Sequence, residues 1–85
     1  MGLDQNFEEA QKRVHQLDEK PSNEILLKLY GLFKQATEGD VKEERPGGFD
    51  FKAQFKWDAW NKLSGKSSDE AKQAYIALVD ELAGH

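Results

Sequence analysis

YGLFKQATEGD, residues 30–40, sets two aromatic rings and a lysine at helical spacing and then stops on Gly39. At about 100° per residue, Tyr30, Phe33 and Lys34 share one face. Gly39 predicts a left-handed helix terminator. A polar stretch follows, TEGDVKEERPGGFD (residues 37–50), which is long for a connection inside a small domain. No strand-like alternation of useful length occurs in the chain, so reading this stretch as a helix end and a loop makes the protein all-α. It also raises a question of chemistry. A packing face has no need of a lysine, and a solvated face has no need of two rings.

Working outward, the same helix begins after the break DEKPSN (residues 18–23), where Pro21 closes one element and Ser22 or Asn23 caps the next. The second helix is therefore expected over residues 22–37. Before it, Leu3, Phe7, Ala10, Val14 and Leu17 recur at helical spacing and predict a first helix over residues 4–17. After the loop, Asp50 caps a third helix over residues 51–63, ended by Gly65. SSDE (residues 67–70) then offers a Ser67–Glu70 capping box for a fourth helix reaching about residue 83. Both prolines fall at boundaries. Four amphipathic helices without strands predict a four-helix bundle, and 85 residues suit one domain spanning 1–85.

The composition narrows the function classes. There is no cysteine, so disulfides and thiolate metal sites are excluded. The histidines, His15 and His85, read as surface residues and make no metal constellation. No apolar run approaches the roughly 20 residues of a membrane span. The N-terminus lacks a signal-peptide pattern, and Asn6 stands where a myristoylation pattern needs Ser or Thr. A net charge of −4 argues against general binding of nucleic acid or anionic membranes, while leaving room for a local basic pocket. With a mean hydropathy of −0.82, the expectation is a soluble intracellular protein.

The helical faces sharpen the question raised by residues 30–40. In the second helix, Ile25, Leu29, Leu32 and Ala36 form one apolar stripe, and one stripe is enough to join a bundle. Leu26, Tyr30, Phe33, Lys34 and Thr37 form another, while Glu24, Lys28, Gly31 and Gln35 fall on a third, polar side. In the third helix, Lys52 and Lys56 intrude on the side of Ala59, Trp60 and Leu63. Two readings are open. The second stripe packs on a further neighbour and the lysines snorkel to water, or the two helices share a ligand site. Lysines beside rings and an apolar groove suit a ligand with phosphates, a flat base and an apolar tail, because ammoniums and a tyrosine hydroxyl bind phosphate oxygens and ring faces stack on a base. Trp57 and Trp60 read as core anchors, and Tyr75 lies on the stripe of Ala71, Leu78, Val79 and Leu82. The loop is either a binding loop or a plain surface connection.

These residues resemble a known family, the acyl-CoA-binding proteins, along nearly the whole chain. The likeness rests on LYGLFKQATEGD (29–40), ERPGGFDFKAQFKWDAWNKLSGKS (44–67) and AYIALVDEL (74–82). It implies an up-down-down-up four-helix bundle, with the long connection between helices 2 and 3, and a non-enzymatic carrier of long-chain acyl-CoA esters. Carried over by position, Tyr30, Lys34 and Lys56 would hold the 3′-phosphate and adenosine, Tyr75 the nucleotide end, and Lys52 a further contact. Leu17, Pro21, Trp57 and Trp60 match positions taken as structural. The acyl chain would lie along Leu26, Leu27 and Phe55. The sequence departs from the family at Phe33, where many members have a second tyrosine, at His15, where some have a lysine, and at Phe55, where some have alanine.

No cofactor is implied; acyl-CoA is the ligand. The expected form is a cytoplasmic monomer that meets membranes or acyl-CoA-using enzymes only in passing and does not bind nucleic acid. A helical adaptor that takes an amphipathic peptide or protein in the same groove is the competing class. An enzyme is disfavoured, because there is no cysteine nucleophile and Glu43–Glu44 reads as a solvated charge run.

Overall fold

The computed structural model describes residues 2–84, so His85 lies outside the described residues. Four helices are present: α1 (Leu3–Val14), α2 (Asn23–Glu38), α3 (Phe51–Asn61) and α4 (Ser68–Leu82). Among the described residues there is no strand. The expected caps form. The Ser22 hydroxyl accepts from the Ile25 N–H at 3.2 Å, and Asp50 accepts from the Ala53 N–H at 3.2 Å. Ser67 and Glu70 close a reciprocal box at 3.1 and 2.9 Å. Each of these caps satisfies donors that a helix start leaves unpaired.

Three helix ends differ from expectation, one of them being α3, which closes at Asn61 rather than at residue 63. α1 stops at Val14 rather than Leu17, because the His15 and Gln16 N–H groups bond three residues back, to Lys12 and Arg13. This tightening ends the helix without any Gly or Pro to announce it. Gly39 does end α2 at positive φ, but with φ 81° and ψ −154° it is not in the left-handed helical region. It occupies an extended region open essentially only to glycine, which sends the chain straight out into the loop.

Contacts between helices fix the topology. Asp4 pairs with Lys72, and Arg13 with Asp80, so α1 and α4 ascend together. Tyr30 meets Lys56, and Lys34 meets Trp60, so α2 and α3 also run parallel. The Ser68 hydroxyl at the start of α4 donates to the Ala36 carbonyl near the end of α2, at 2.6 Å, so those two helices are antiparallel. The order is up-down-down-up, and the long connection between α2 and α3 is what allows two consecutive helices to be parallel. α4 packs on both α1 and α2, and α2 on both α4 and α3. The result is a shallow slab, 40 × 28 × 15 Å across its Cα atoms.

The core belongs to three helices. Phe7 and Ala10, Leu29, Leu32 and Ala36, and Ala71, Tyr75 and Val79 bury one another. α3 adds no residue to this buried cluster and is held by its contact with α2. That contact overturns the expected polar side of α2. Gly31 and Gln35 are both buried there. A Cβ on Gly31 would come within 2.7 Å of the Ala59 carbonyl oxygen, so only glycine lets the two backbones approach this closely. Gln35 Nε2 donates to Asp40 at 2.7 Å and to the Lys66 carbonyl at 2.8 Å, and Asp40 also accepts from the Gly65 N–H at 2.8 Å. A glutamine that reads as solvated is instead a buried clasp joining the end of α2, the loop and the α3–α4 turn.

Candidate functional site

The parallel seam between α2 and α3 pairs rings with cations in a crossed pattern. Tyr30 and Lys34 stand one turn apart on α2, and Lys56 and Trp60 one turn apart on α3. The Lys56 ammonium lies 5.3 Å from the Tyr30 ring centroid, and the Lys34 ammonium 4.9 Å from that of Trp60. Each helix therefore supplies one ring and one cation. A ring face holds an ammonium, at about 0.5–1 kcal/mol where exposed, without neutralising it. The charge on Lys56 stays available to an anion. Lys34 also has a carboxylate partner, Glu38, one turn on along α2. The hydrogen bond to Glu38 is the main cause of a Lys34 pKa above the ordinary lysine value; burial opposes the shift, and charge on Glu38, Tyr30 and Glu43 adds to it.

The two tryptophans hold the loop rather than fill the core. The Trp60 indole N–H donates to the Gly39 carbonyl at 2.8 Å, and that of Trp57 to the Glu43 carbonyl at 2.8 Å. Trp60 is buried, but outside the three-helix cluster, and Trp57 is half-buried. Both indoles lie on α3, so each reaches the loop that precedes their own helix. Gln54 donates to the Pro46 carbonyl at 2.9 Å, and Arg45 makes a two-pronged pair with Asp58 at 2.9 and 3.0 Å. The loop is thus strapped along α3 over most of its length, and it keeps α3 seated against α2.

The other expected ligand residues lie outside these crossed pairs. Lys52 is exposed one turn before Lys56. Phe33 is half-buried and belongs partly to the core, its ring stacked on Phe7 at 6.1 Å. Tyr75 is buried edge-on to Phe7 at 5.1 Å, and burial pushes its hydroxyl pKa up. Leu26 likewise packs against the core. The second stripe of α2 is therefore not wholly separate from the first, because Phe7 of α1 reaches across to it. His15 is exposed at the C-cap of α1 and makes none of the pairings that tie α2 to α3.

Leu27 and Phe55 line a groove of about 970 Å³ between α3 and α4, floored by Leu32, Ala59, Leu63 and Leu78. Leu26 does not line it. Lys28, on the rim of this groove, stands about 160° around α2 from Tyr30. The groove and the two ring-held cations therefore face largely different sides of α2, with Leu27 between them. Two contributors to the seam escape a reading of the sequence for ligand contacts. Trp60 looks like core by composition. Glu38 carries a legible signal, its i, i+4 spacing from Lys34. Among the described residues no group of His, Asp and Glu side chains could hold a metal ion, and no helix is long and apolar enough to cross a membrane.

A flat all-α bundle with two ring-held ammoniums on one seam has the make-up of a module that binds an anionic ligand. Residues 4–79 match the Acyl CoA binding protein family. The chain is 52% identical over 80 residues to the acyl-CoA-binding protein of Saccharomyces cerevisiae, covering 94% of this chain and 92% of that one. It is 54% identical over 82 residues to the acyl-CoA-binding protein of Brassica napus, covering 96% and 89%. The crystal structure of Oryza sativa acyl-CoA-binding protein 2 is similar at a TM-score of 0.90, with 48% identity over 95% of this chain and 90% of that one. The chain belongs to the acyl-CoA-binding protein family.

Proposed function

We propose that the protein is a non-enzymatic, monomeric, cytoplasmic carrier, one domain over residues 1–85, that binds long-chain acyl-CoA esters and buffers or delivers them. The observation that carries this reading is the crossed pairing of Lys56 with Tyr30 and Lys34 with Trp60 on one seam, in a chain of this family. Phosphate oxygens would take charge-assisted hydrogen bonds from Lys34 and Lys56, with Lys52 and His15 as outer cations. The adenine would stack on Tyr30, with Phe33 and Tyr75 behind it. The acyl chain would leave the seam over Leu26 and Leu27 toward Phe55, each methylene removed from water contributing about 0.8 kcal/mol. Nothing in this scheme breaks a bond, and the thioester is shielded rather than attacked.

Calorimetric titration with palmitoyl-CoA, free CoA and palmitate tests the reading. Palmitoyl-CoA is expected to bind far more tightly than either fragment, and equal affinity for palmitoyl-CoA and free CoA would overturn it. Lys56→Ala is expected to weaken palmitoyl-CoA binding by about tenfold or more, as loss of a hydrogen bond to a charged group does. Its unfolding temperature should fall by only a few degrees, since the ring contact is worth about 0.5–1 kcal/mol. Loss of fold and binding together would mark Lys56 as structural instead.

A further inference from the structure

Residues 40–64, the long loop and α3 with the turn after it, begin and end at one place. Gly39 and Gly65 flank the segment, both at positive φ, 81° and 93°. Asp40 joins the two ends, accepting from the Gly65 N–H at 2.8 Å and from Gln35 of α2 at 2.7 Å. Gln35 also donates to the Lys66 carbonyl, and the Trp60 indole to that of Gly39, both at 2.8 Å. Leu63 packs against the three-helix core. These attachments gather at the end where α2 and α3 finish.

Away from that end the segment is tied to itself. Trp57 holds the Glu43 carbonyl at 2.8 Å, Gln54 that of Pro46 at 2.9 Å, and Arg45 holds Asp58 at 2.9 and 3.0 Å. Among the described residues no hydrogen bond or ion pair joins residues 41–58 to α1, α2 or α4. α3 packs on α2 and on neither α1 nor α4. Its 11 residues fall below the roughly 12–15 under which an isolated helix is marginal in water. Away from α2 it needs the loop bound along it to stay helical. The proposed ligand site divides along the same line, with Tyr30 and Lys34 on α2 and Lys52 and Lys56 on the segment. Far from the shared end, the two halves meet through the Lys56 ammonium, 5.3 Å from the Tyr30 ring centroid.

We propose that residues 40–64 move as one lid on hinges at Gly39 and Gly65, that bound acyl-CoA leaves through this opening, and that the Arg45–Asp58 pair sets how often the lid opens. The ligand in this scheme rests on the carrier reading; the motion does not. Glycine at both hinges lets the backbone torsions change with no Cβ in the way. Opening takes Lys52 and Lys56 off the ligand while α1, α2 and α4 keep their core, so half of the phosphate contacts are released together. A local opening of this kind costs less than unfolding the chain. Arg45 and Asp58 form no part of the proposed ligand contacts. They are positioning residues, which keep loop and α3 one rigid body and so keep Lys56 over Tyr30. Without the pair, α3 loses part of what steadies it and leaves its seat more often.

The test pairs hydrogen exchange by mass spectrometry on the full chain without ligand with stopped-flow release of palmitoyl-CoA. The α3 amides of the wild-type chain are expected to exchange well before those of α4. Arg45→Gln and Asp58→Asn should each speed α3 exchange and palmitoyl-CoA release by about two- to fivefold, the range of an exposed ion pair, and leave α4 exchange unchanged. The two variants change charge in opposite directions. Charge alone would make Arg45→Gln release an anionic ligand faster and Asp58→Asn release it more slowly, whereas a lid makes both faster. Three results would overturn the proposal: α3 exchanging in step with α4, slower release from Asp58→Asn, or faster α3 exchange with release unchanged. A chain that binds no palmitoyl-CoA overturns the carrier reading instead, and α3 exchange still decides whether the lid moves.

Discussion

Lys34 holds two partners at once, the face of Trp60 and the carboxylate of Glu38. Glu38 is an internal substitute for the anion that the site is proposed to take, and any phosphate reaching Lys34 must compete with it. Glu38→Gln keeps the side chain's length and removes its charge. It is expected to tighten binding of free CoA up to about fivefold, within the range of a partly exposed ion pair, with the gain shrinking at high salt. Weaker binding by calorimetry would show instead that Glu38 positions the lysine. At this scale the sequence was informative where spacing carried the information. Tyr30, Lys34 and Lys56 could be assembled from periodicity and resemblance. The role of Trp60 could not, because an indole looks like core until a neighbouring helix is placed against it; Glu38, by contrast, carries its signal in its i, i+4 spacing from Lys34.

Between elements, the decisive residue is Gly31. It lets α2 and α3 approach closely enough for lysines on each helix to reach rings on the other. Gly31→Ala should favour the isolated helix by about 1 kcal/mol, yet the new methyl would meet the Ala59 carbonyl oxygen, a backbone atom that cannot rotate away. A net loss of about 1–3 kcal/mol is expected from urea unfolding, with a larger proportional loss of palmitoyl-CoA affinity as the seam opens. Unchanged affinity would mean that binding does not depend on the seam's geometry. The capping box at Ser67 and the caps at Ser22 and Asp50 were all legible, since each is a local chemical pattern. Gly31 and Gln35 were not. Helical periodicity separates apolar from polar residues, and a polar side is indistinguishable from a side where a glycine admits a neighbour and an amide clasps a loop.

For the molecule as a whole, stability should depend on acid in a defined direction. Asp40 is held below its ordinary pKa by the Gly65 N–H and Gln35, Asp58 by Arg45, and Glu70 by the Ser67 backbone and hydroxyl. Because each folded pKa lies below the unfolded one, each contribution is complete above the ordinary carboxylate range near pH 4 and is lost as pH falls through the depressed value. The unfolding temperature should therefore hold steady near neutrality and drop below about pH 4. Asp40→Asn should flatten part of that drop, as thermal scans across pH would register. The four helices and the long loop were legible from the chain alone, and the parallel pairing of α2 and α3 from the resemblance. The flatness was not, because nothing in one helix's periodicity says that α3 contributes to a seam rather than to a shared core. The placement of both tryptophans on α3 has an optical consequence. Trp60 lies against the Lys34 ammonium and Trp57 against the loop, so the intrinsic emission of the chain reports on this one helix. Any event that draws Lys34 away, or lets the loop swing free, should register as a change in fluorescence with no label attached.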